Sequence, residues 1–436
     1  MAILDFFINQ VFGVAAIFLA LIALVGLLLQ KKGFSEVMSG TLKTAVGVII
    51  LQQGVGILIG GILPLAEAVD AVSPVATRAP SMETDAFIGS FGFEIGIAMI
   101  FGFLLNLLVA RFTKWKAVFL TGHMLFWFPF VFTAVGISAG LSGMPLLVAA
   151  SITTAAYYII APNLVRPYIK DVIGDDSFTL GHPSTIFVLV GGFLAGKFGD
   201  KSKSTEELNI PKNFQFLREI AISGSVIIAI VYIILTILLI GTGHDYAALF
   251  GLDATTGLFN FIFISSLTFG AGLTVLLFGV RMMLAEIVPA FTGIQEKLIP
   301  KAVPAYDCPL LFPYAPNAVL IGFIISMVVS TLVIVLTSGM GIFRFAVIPM
   351  VIGCFFEVGT ASVVGNARGG LRGSIIASVV SGIAIVFLMG FSLPFFVAGG
   401  AEGAMDTIAD WVIIFGGQDF SLWAIIQGSI LRVLPL

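Results

Sequence analysis

The chain has 436 residues, 59% hydrophobic and only 10% charged, with a mean hydropathy of +1.13 and a formal net charge of −3. A soluble domain of this size carries about 25% charged residues, so a soluble globular class is excluded. Apolar runs able to cross about 30 Å of hydrocarbon recur from end to end, without the period-2 alternation of a membrane β-barrel. An all-α polytopic membrane protein is expected, with membrane lipid around it and no nucleic-acid partner.

The first predicted span is VFGVAAIFLALIALVGLLL (11–29). It is longer than a signal-peptide core, has no basic residue ahead of it and lacks a cleavage site. Lys31, Lys32 and Lys43 follow it; Arg111, Lys114 and Lys116 form a second basic cluster. Lys197, Lys201, Lys203, Lys212 and Arg218 mark the longest polar segment. The positive-inside rule puts these on the cytoplasmic side. The stretches Glu67–Asp85, His244–Asp253 and Glu402–Asp410 hold one basic residue, Arg78, and face out. The N-terminus is then outside and Arg432 inside. Segment length gives about 10 or 11 spans, and parity favours 11.

The chain reads as duplicated. QGVGILIGGILP (53–64) aligns with FGVRMMLAEIVP (278–289), FPF (128–130) with FPY (312–314), and LGHPST (180–185) with VGTASV (358–363). Gly191-Gly192 falls on Gly369-Gly370, and His123 falls opposite Asp307. The offset drifts from 225 to 184 to 178 residues, so the first copy carries an insertion between Pro64 and Phe128. Repeated halves are common in transporters, whose substrate lies near the midplane at broken helices.

Two of the three histidines lie in apolar runs: His123 in FLTGHMLFWFPF (119–130) and His182 in FTLGHPSTIFVL (178–189). Each is either a satisfied buried histidine or part of a binding site, since ionisable groups are costly in hydrocarbon and usually face a cavity or partner. Over 178–196 proline breaks the helix, and the run is too short for two full crossings. A re-entrant hairpin fits, because non-helical backbone survives at membrane depth where it is buried or lines a cavity. Its tip offers His182, Ser184 and Thr185 to a polyhydroxylated ligand. The repeat makes CFFEVGTASVVGNARGG (354–370) a second hairpin, with Glu357 its conspicuous group.

PAYDCPLLFPYAPNAV (304–319), with four prolines, reads as a broken helix. Its Asp307 either accepts from a sugar hydroxyl or pairs with Arg281 or Lys301. Arg281 and Glu286 read as an internal pair or helix-end anchor. Gly56 and Gly60 read as small-residue helix packing, not a nucleotide fingerprint, since no strand precedes them. Cys308 and Cys354 sit in apolar sequence, suggesting neither a disulfide framework nor a redox pair. No GxxxxGK[ST] motif occurs.

LTGHMLF, GHPST, GTLKTAVGVIILQQGVGIL and GVRMMLAEIVPAFTGIQEKLIPKAVPAYDCPLLFPYAPNAV together resemble the ascorbate-type membrane subunit (EIIC) of the bacterial phosphoenolpyruvate-dependent sugar phosphotransferase system, from about residue 40 to about residue 375. The resemblance implies a homodimer in the bacterial inner membrane, with 11 transmembrane helices, two inverted five-helix repeats, two re-entrant hairpins and an elevator-type movement. It divides the chain into a first repeat to about 200, a cytoplasmic linker over 197–218, a second repeat over about 219–400 and a final helix over about 411–433. It also implies that L-ascorbate or a related small sugar or polyol is phosphorylated by a separate EIIB carrying a phosphocysteine, supplied in turn by an EIIA.

No phospho-residue, cofactor or metal is then expected in this chain. The family's ligand positions carry over to His123, His182 and Asp307. Trp127 and Pro183 stand where ascorbate binders have glutamine. Trp127 offers a flat apolar face and one N–H instead. Ser184, Thr185 and Glu357 complete the expected site, with Asp307 or His182 as a possible base. The alternative is an ion-coupled secondary transporter of a small polar solute.

Overall fold

The computed structural model describes residues 14–72, 78–208, 219–252, 256–348 and 350–433, with residues 213 and 216 between them. Backbone groups in hydrocarbon must bond within their own segment, which for apolar runs means helix. Seven described helices are long and apolar enough to cross a membrane, and three shorter apolar ones accompany them. The chain is therefore a polytopic helical membrane protein. Lys212 and Arg218 of the basic linker and Asp253 of the 244–253 loop lie outside the described residues.

Helix α1 (Ala15–Leu29) leads into the long α2 (Phe34–Val72). Then come α3 (Thr84–Phe112), strand β1 (Ala117–Phe119), α4 (Gly122–Ser138) and α5 (Gly143–Ile173). Strand β2 (Thr179–Leu180) and the short α6 (Thr185–Phe198) follow, then α7 (Ile220–Gly241), the one-turn α8 (Tyr246–Leu249) and α9 (Leu258–Lys297). Strand β3 (Val303–Tyr306) is followed by a 3-10 turn and α10 (Pro316–Met340). A short helical turn, α11 (Val351–Gly353), passes through a π turn at Cys354–Val358 into α12 (Gly359–Ser392); α13 (Ala409–Phe415) and α14 (Asp419–Val433) close the chain.

The long helices α2 and α9 pack antiparallel along a seam of glycines. A Cβ at Gly47 would lie 2.7 Å from the backbone nitrogen of Met283, and one at Gly272 2.5 Å from that of Leu58. Gly54 abuts Leu276 in the same way, and Gly279 abuts Leu51. In a membrane, where lipid is as apolar as the helices, such backbone approach is what lets helices associate. Gly56 and Gly60 are not part of it, for nothing lies within 4 Å of where their Cβ atoms would be. The seam uses positions two helical turns apart, which carries residues 47, 54 and 61 to one face and turns 56 and 60 away. Glu286 pairs with Lys43 of α2 at 3.1 Å, not with Arg281.

Residues 351–392 fold into a helical hairpin. Gly369 and Gly370 leave helical geometry, Gly370 at φ 59°. Ser362 Oγ and Ser374 Oγ lie 2.6 Å apart, whereas twelve residues of straight helix would separate them by about 18 Å. Only glycine takes the positive φ of the turn without strain. The backbone of Asp200 and Lys203 packs directly against Gly370.

The three strands form one buried parallel sheet in the order β1-β3-β2, with Ala117 opposite Val303 and Thr179 opposite Ala305. Such backbone needs internal partners at membrane depth. On the outer edge of β1, Asn106 of α3 donates from Nδ2 to Ala117 O at 3.0 Å and accepts from Phe119 N at 2.9 Å. Asn163 of α5 accepts from Ala117 N at 3.2 Å. Side-chain amides thus stand in for a fourth strand.

The final segment expected as one helix over 411–433 is two helices, α13 and α14, broken at residues 416–418. Gly417 has φ 86°, and Asp419 starts the second helix while almost fully buried. The break turns a polar group inward where a continuous helix would have kept its backbone bonded to itself.

Candidate functional site

The C-terminal ends of the three strands deliver three ionisable side chains to one place. His123 follows β1 on the first turn of α4, His182 follows β2, and Asp307 follows β3 directly. Asp307 sits between the histidines, its Oδ2 3.6 Å from His123 Nε2 and its Oδ1 3.6 Å from His182 Nε2. These spacings suit ion pairing but are too long for direct hydrogen bonds. Asp307 therefore faces the histidines rather than Arg281 or Lys301.

His182 is held rigidly. Its Nδ1 lies 2.9 Å from Ser184 Oγ, which turns Nε2 toward Asp307. Thr185 N and Ile186 N, at the start of α6, donate to the Asp419 carboxylate at 2.9 Å each, and Tyr157 OH donates to it at 2.7 Å. Asp419 N donates in turn to Pro183 O at 3.0 Å. A carboxylate at a helix N-terminus satisfies donors that the helix itself leaves free and complements its dipole. The GHPST turn is thus fastened to the start of α14 on the far side of the sequence.

The cluster opens on a cavity of about 320 Å³, at the small end of the range of about 300–1,000 Å³ for ligand sites. His123, Trp127, His182, Asp307 and Glu357 all line it. Pro183, Ser184 and Thr185 do not: Ser184 contacts the His182 ring, and Pro183 and Thr185 bond Asp419 through their backbone. Trp127 packs against Trp411, with ring centroids 5.1 Å apart and the planes tilted by 31°, to form an aromatic wall.

Several cavity residues have no counterpart in the sequence expectations, among them Gln52 of α2 and Trp411, Gln418 and Phe420 from the C-terminal segment. Asp419, which does not line the cavity but holds the His182 turn, is missing from them as well. A Gly-Gly-Gln-Asp run within apolar 411–433 is the same kind of interruption that singled out GHPST, and it is the signal that points to them. Gln52 and Gln418 bring side-chain amides into the cavity from two other elements.

Chemically the site offers hydrogen-bond acceptors, two imidazoles and an apolar, ring-sized wall. That suits a small polyhydroxylated molecule better than an apolar one. Asp307 could take a proton from a hydroxyl seated between the histidines. One ligand atom from each of His123, His182 and Asp307 lies within 4.8 Å of the others, a three-ligand set that a divalent cation could also use. Cys308 and Cys354 are both buried and unpaired.

Residues 10–412 match the model of the family described as the phosphotransferase-system sugar-specific permease component, EIIC-GAT. The chain belongs to this sugar-permease family. It is also similar to a protein of Mycoplasma pneumoniae described as an ascorbate-specific phosphotransferase-system EIIC component, at 25% identity over 89% of this chain and 66% of the relative. The chain thus spans just under two thirds of that relative's length. His123, His182, Asp307 and Glu357 lie inside the stretch matched by the family model, whereas Gln418 and Asp419 lie beyond its end.

Proposed function

We propose that this permease-family chain is the membrane subunit of a sugar phosphotransferase system. It binds L-ascorbate or a related small sugar or polyol and presents a hydroxyl to a phosphorylated EIIB, itself recharged by an EIIA. The observation that carries this reading is the His123–Asp307–His182 cluster facing a monosaccharide-sized cavity. In this role Asp307 and His182 orient the hydroxyl and accept its proton, while phosphoryl transfer relies on the partner's phosphocysteine.

The wider architecture is part of the same proposal: 11 spans, two inverted repeats (about 1–200 and 219–400) around a linker at 197–218, re-entrant hairpins, a homodimer with an elevator-type movement, and an outside N-terminus in a bacterial inner membrane. Support for the inversion comes from the seam. Adding the 225-residue offset to Gly54 and subtracting it from Leu276 turns the Gly54–Leu276 contact into Gly279–Leu51. The Gly47–Met283 contact becomes Leu58–Gly272 in the same way. Any antiparallel pair keeps such sums, so the support lies in glycine standing at both offset-related positions, 47 with 272 and 54 with 279, as a two-fold axis in the membrane plane would repeat it.

The test is ligand binding to purified protein in detergent, by calorimetry and thermal shift, over L-ascorbate and a panel of pentoses, hexoses and polyols. A ligand at 100 times its Kd should stabilise the protein by about 2.7 kcal/mol. His182→Ala and Asp307→Asn should each weaken binding at least about tenfold, the scale of one lost charge-assisted hydrogen bond. Phosphorylation of the bound ligand should then require EIIB. Uptake that follows a proton or sodium gradient without EIIB would replace this reading with an ion-coupled carrier.

A further inference from the structure

The strand ends hold three metal-binding side chains at close to metal-binding spacing. One ligand atom from each of His123, His182 and Asp307 lies within 4.8 Å of the other two. Both imidazole–carboxylate distances are 3.6 Å. Around a tetrahedral zinc with bonds of about 2.0–2.1 Å, neighbouring ligand atoms stand about 3.4 Å apart. The third edge, between the imidazoles, closes by movement of His123. Its side chain is 38% exposed, whereas that of His182 is 5% exposed and held in place.

Two of the three groups are fastened from behind. His182 Nδ1 lies 2.9 Å from Ser184 Oγ, which leaves Nε2 for a metal. Asp307 Oδ1 accepts from Cys308 N at 2.7 Å. Metal-binding histidines and carboxylates almost always carry such a bond, because it fixes tautomer and orientation. All three residues line the cavity, so an ion has a way in and a fourth position faces open space. Among the described residues lining that cavity there is no Lys or Arg to repel a cation. Two imidazoles and one carboxylate suit zinc, whereas magnesium and calcium prefer oxygen ligands throughout.

We propose that His123, His182 and Asp307 form a three-ligand site for Zn2+, with the fourth position open to the cavity. Zinc binding itself needs no sugar. Its consequence rests on the permease reading: the same three side chains hold either the ion or the sugar hydroxyl, so zinc inhibits uptake. The ion ties together residues that follow three different strands, and the sugar must displace it to bind.

The experiment titrates tag-free wild-type protein in detergent with Zn2+ by calorimetry, beside Mg2+ and Ca2+. One zinc should bind per chain, and the other two ions at least about 100-fold more weakly. His123→Ala and His182→Ala should each weaken zinc by at least about 100-fold, and Ser184→Ala by about tenfold, the scale for a group that orients a metal ligand. Co2+ bound to the wild-type protein should give visible absorption far stronger than the aqueous ion, the sign of fewer than six ligands. Zinc at 100 times its Kd should raise the apparent Kd of whichever sugar binds about 100-fold.

The cobalt spectrum needs no variant, so a misfolded mutant does not decide the matter. The proposal is overturned by an absence of zinc binding, or by a cobalt spectrum no stronger than that of the aqueous ion. Zinc affinity that stays within about threefold in both histidine variants would place the ion elsewhere and overturn it too, as would zinc that binds without moving the sugar's affinity. In each of these cases the permease reading stands. If no sugar on the panel binds, the permease reading falls, and the zinc and cobalt titrations still decide the site.

Discussion

Along the α2–α9 seam, two helices meet over bare backbone, and glycine is useful there for what it lacks. Around the cavity the reverse holds. The backbone leaves helix at β1, β2, β3 and the 416–418 break, and polar side chains must satisfy what the breaks expose. The seam tolerates no added atom, since its backbones are already in contact. The site tolerates no lost partner, since each buried N–H or C=O left open costs about 1–3 kcal/mol. Rigid packing and polar satisfaction thus fail in opposite ways, one by addition and one by deletion.

The sharpest way to break the contrast is to add bulk to the seam. Gly54→Leu and Gly279→Leu would each drive a side chain into opposing backbone. Both should reach or exceed the upper end of the overpacking range of about 1–3 kcal/mol, read as loss of folded protein on gel filtration. Gly56→Ala and Gly60→Ala meet open space and should change stability by no more than about 1 kcal/mol, the helix-propensity difference. Comparable damage from both pairs would show that the seam is not where the helices are locked.

Deletion at the sheet edge comes next. Asn106→Leu removes the partner of Ala117 O, Tyr158 O and Phe119 N. It should cost about 2–5 kcal/mol in thermal unfolding, the sum of a few buried unsatisfied groups. Unchanged melting would mean that the strand edge finds another partner.

Asp419→Asn should be milder in stability but selective in function. The amide cannot accept from all three donors, so the His182 turn loosens. Ligand affinity should fall by about 10–100-fold, the scale of one or two charge-assisted hydrogen bonds. A general structural effect would lower melting temperature without moving the pH dependence of binding. A positioning role for Asp419 moves that pH dependence, because it acts through the His182–Asp307 pair.

The smallest effect is expected at the exposed end of α5. There the Arg166 guanidinium, 3.1 Å away, holds the Asp176 carboxyl below its ordinary value of 3.8. A depressed carboxyl stabilises the fold above its unfolded value and loses that contribution as pH falls through the folded one. Asp176→Asn should therefore cost only about 0.2–1 kcal/mol at neutral pH, as exposed pairs do. The difference from wild type should vanish in acid. A larger loss would mean that this end of α5 is part of the polar framework after all.

Much of this was legible in the residues. Hydropathy marks the membrane class because a span must be apolar over a fixed length. His123, His182, Asp307 and Glu357 stand out because ionisable groups in apolar runs are expensive. The 225-residue offset places Gly54 on Gly279, and both lie in the seam. The same reasoning misassigned Gly56 and Gly60, since a small residue in a helix does not reveal which face meets a partner. It also read 411–433 as one helix, because an apolar run of that length normally is one.

What the sequence by itself determined is the class, the family and the handful of costly polar residues, all of them consequences of local composition. Only the tertiary structure decided how they meet. Strand pairing brings three ionisable residues from distant parts of the chain onto one cavity. The break before Asp419 sends a carboxylate back to the GHPST turn, more than two hundred residues away in the sequence. Such contacts depend on register and helix orientation, which arise from packing the whole chain and have no signature in any single window.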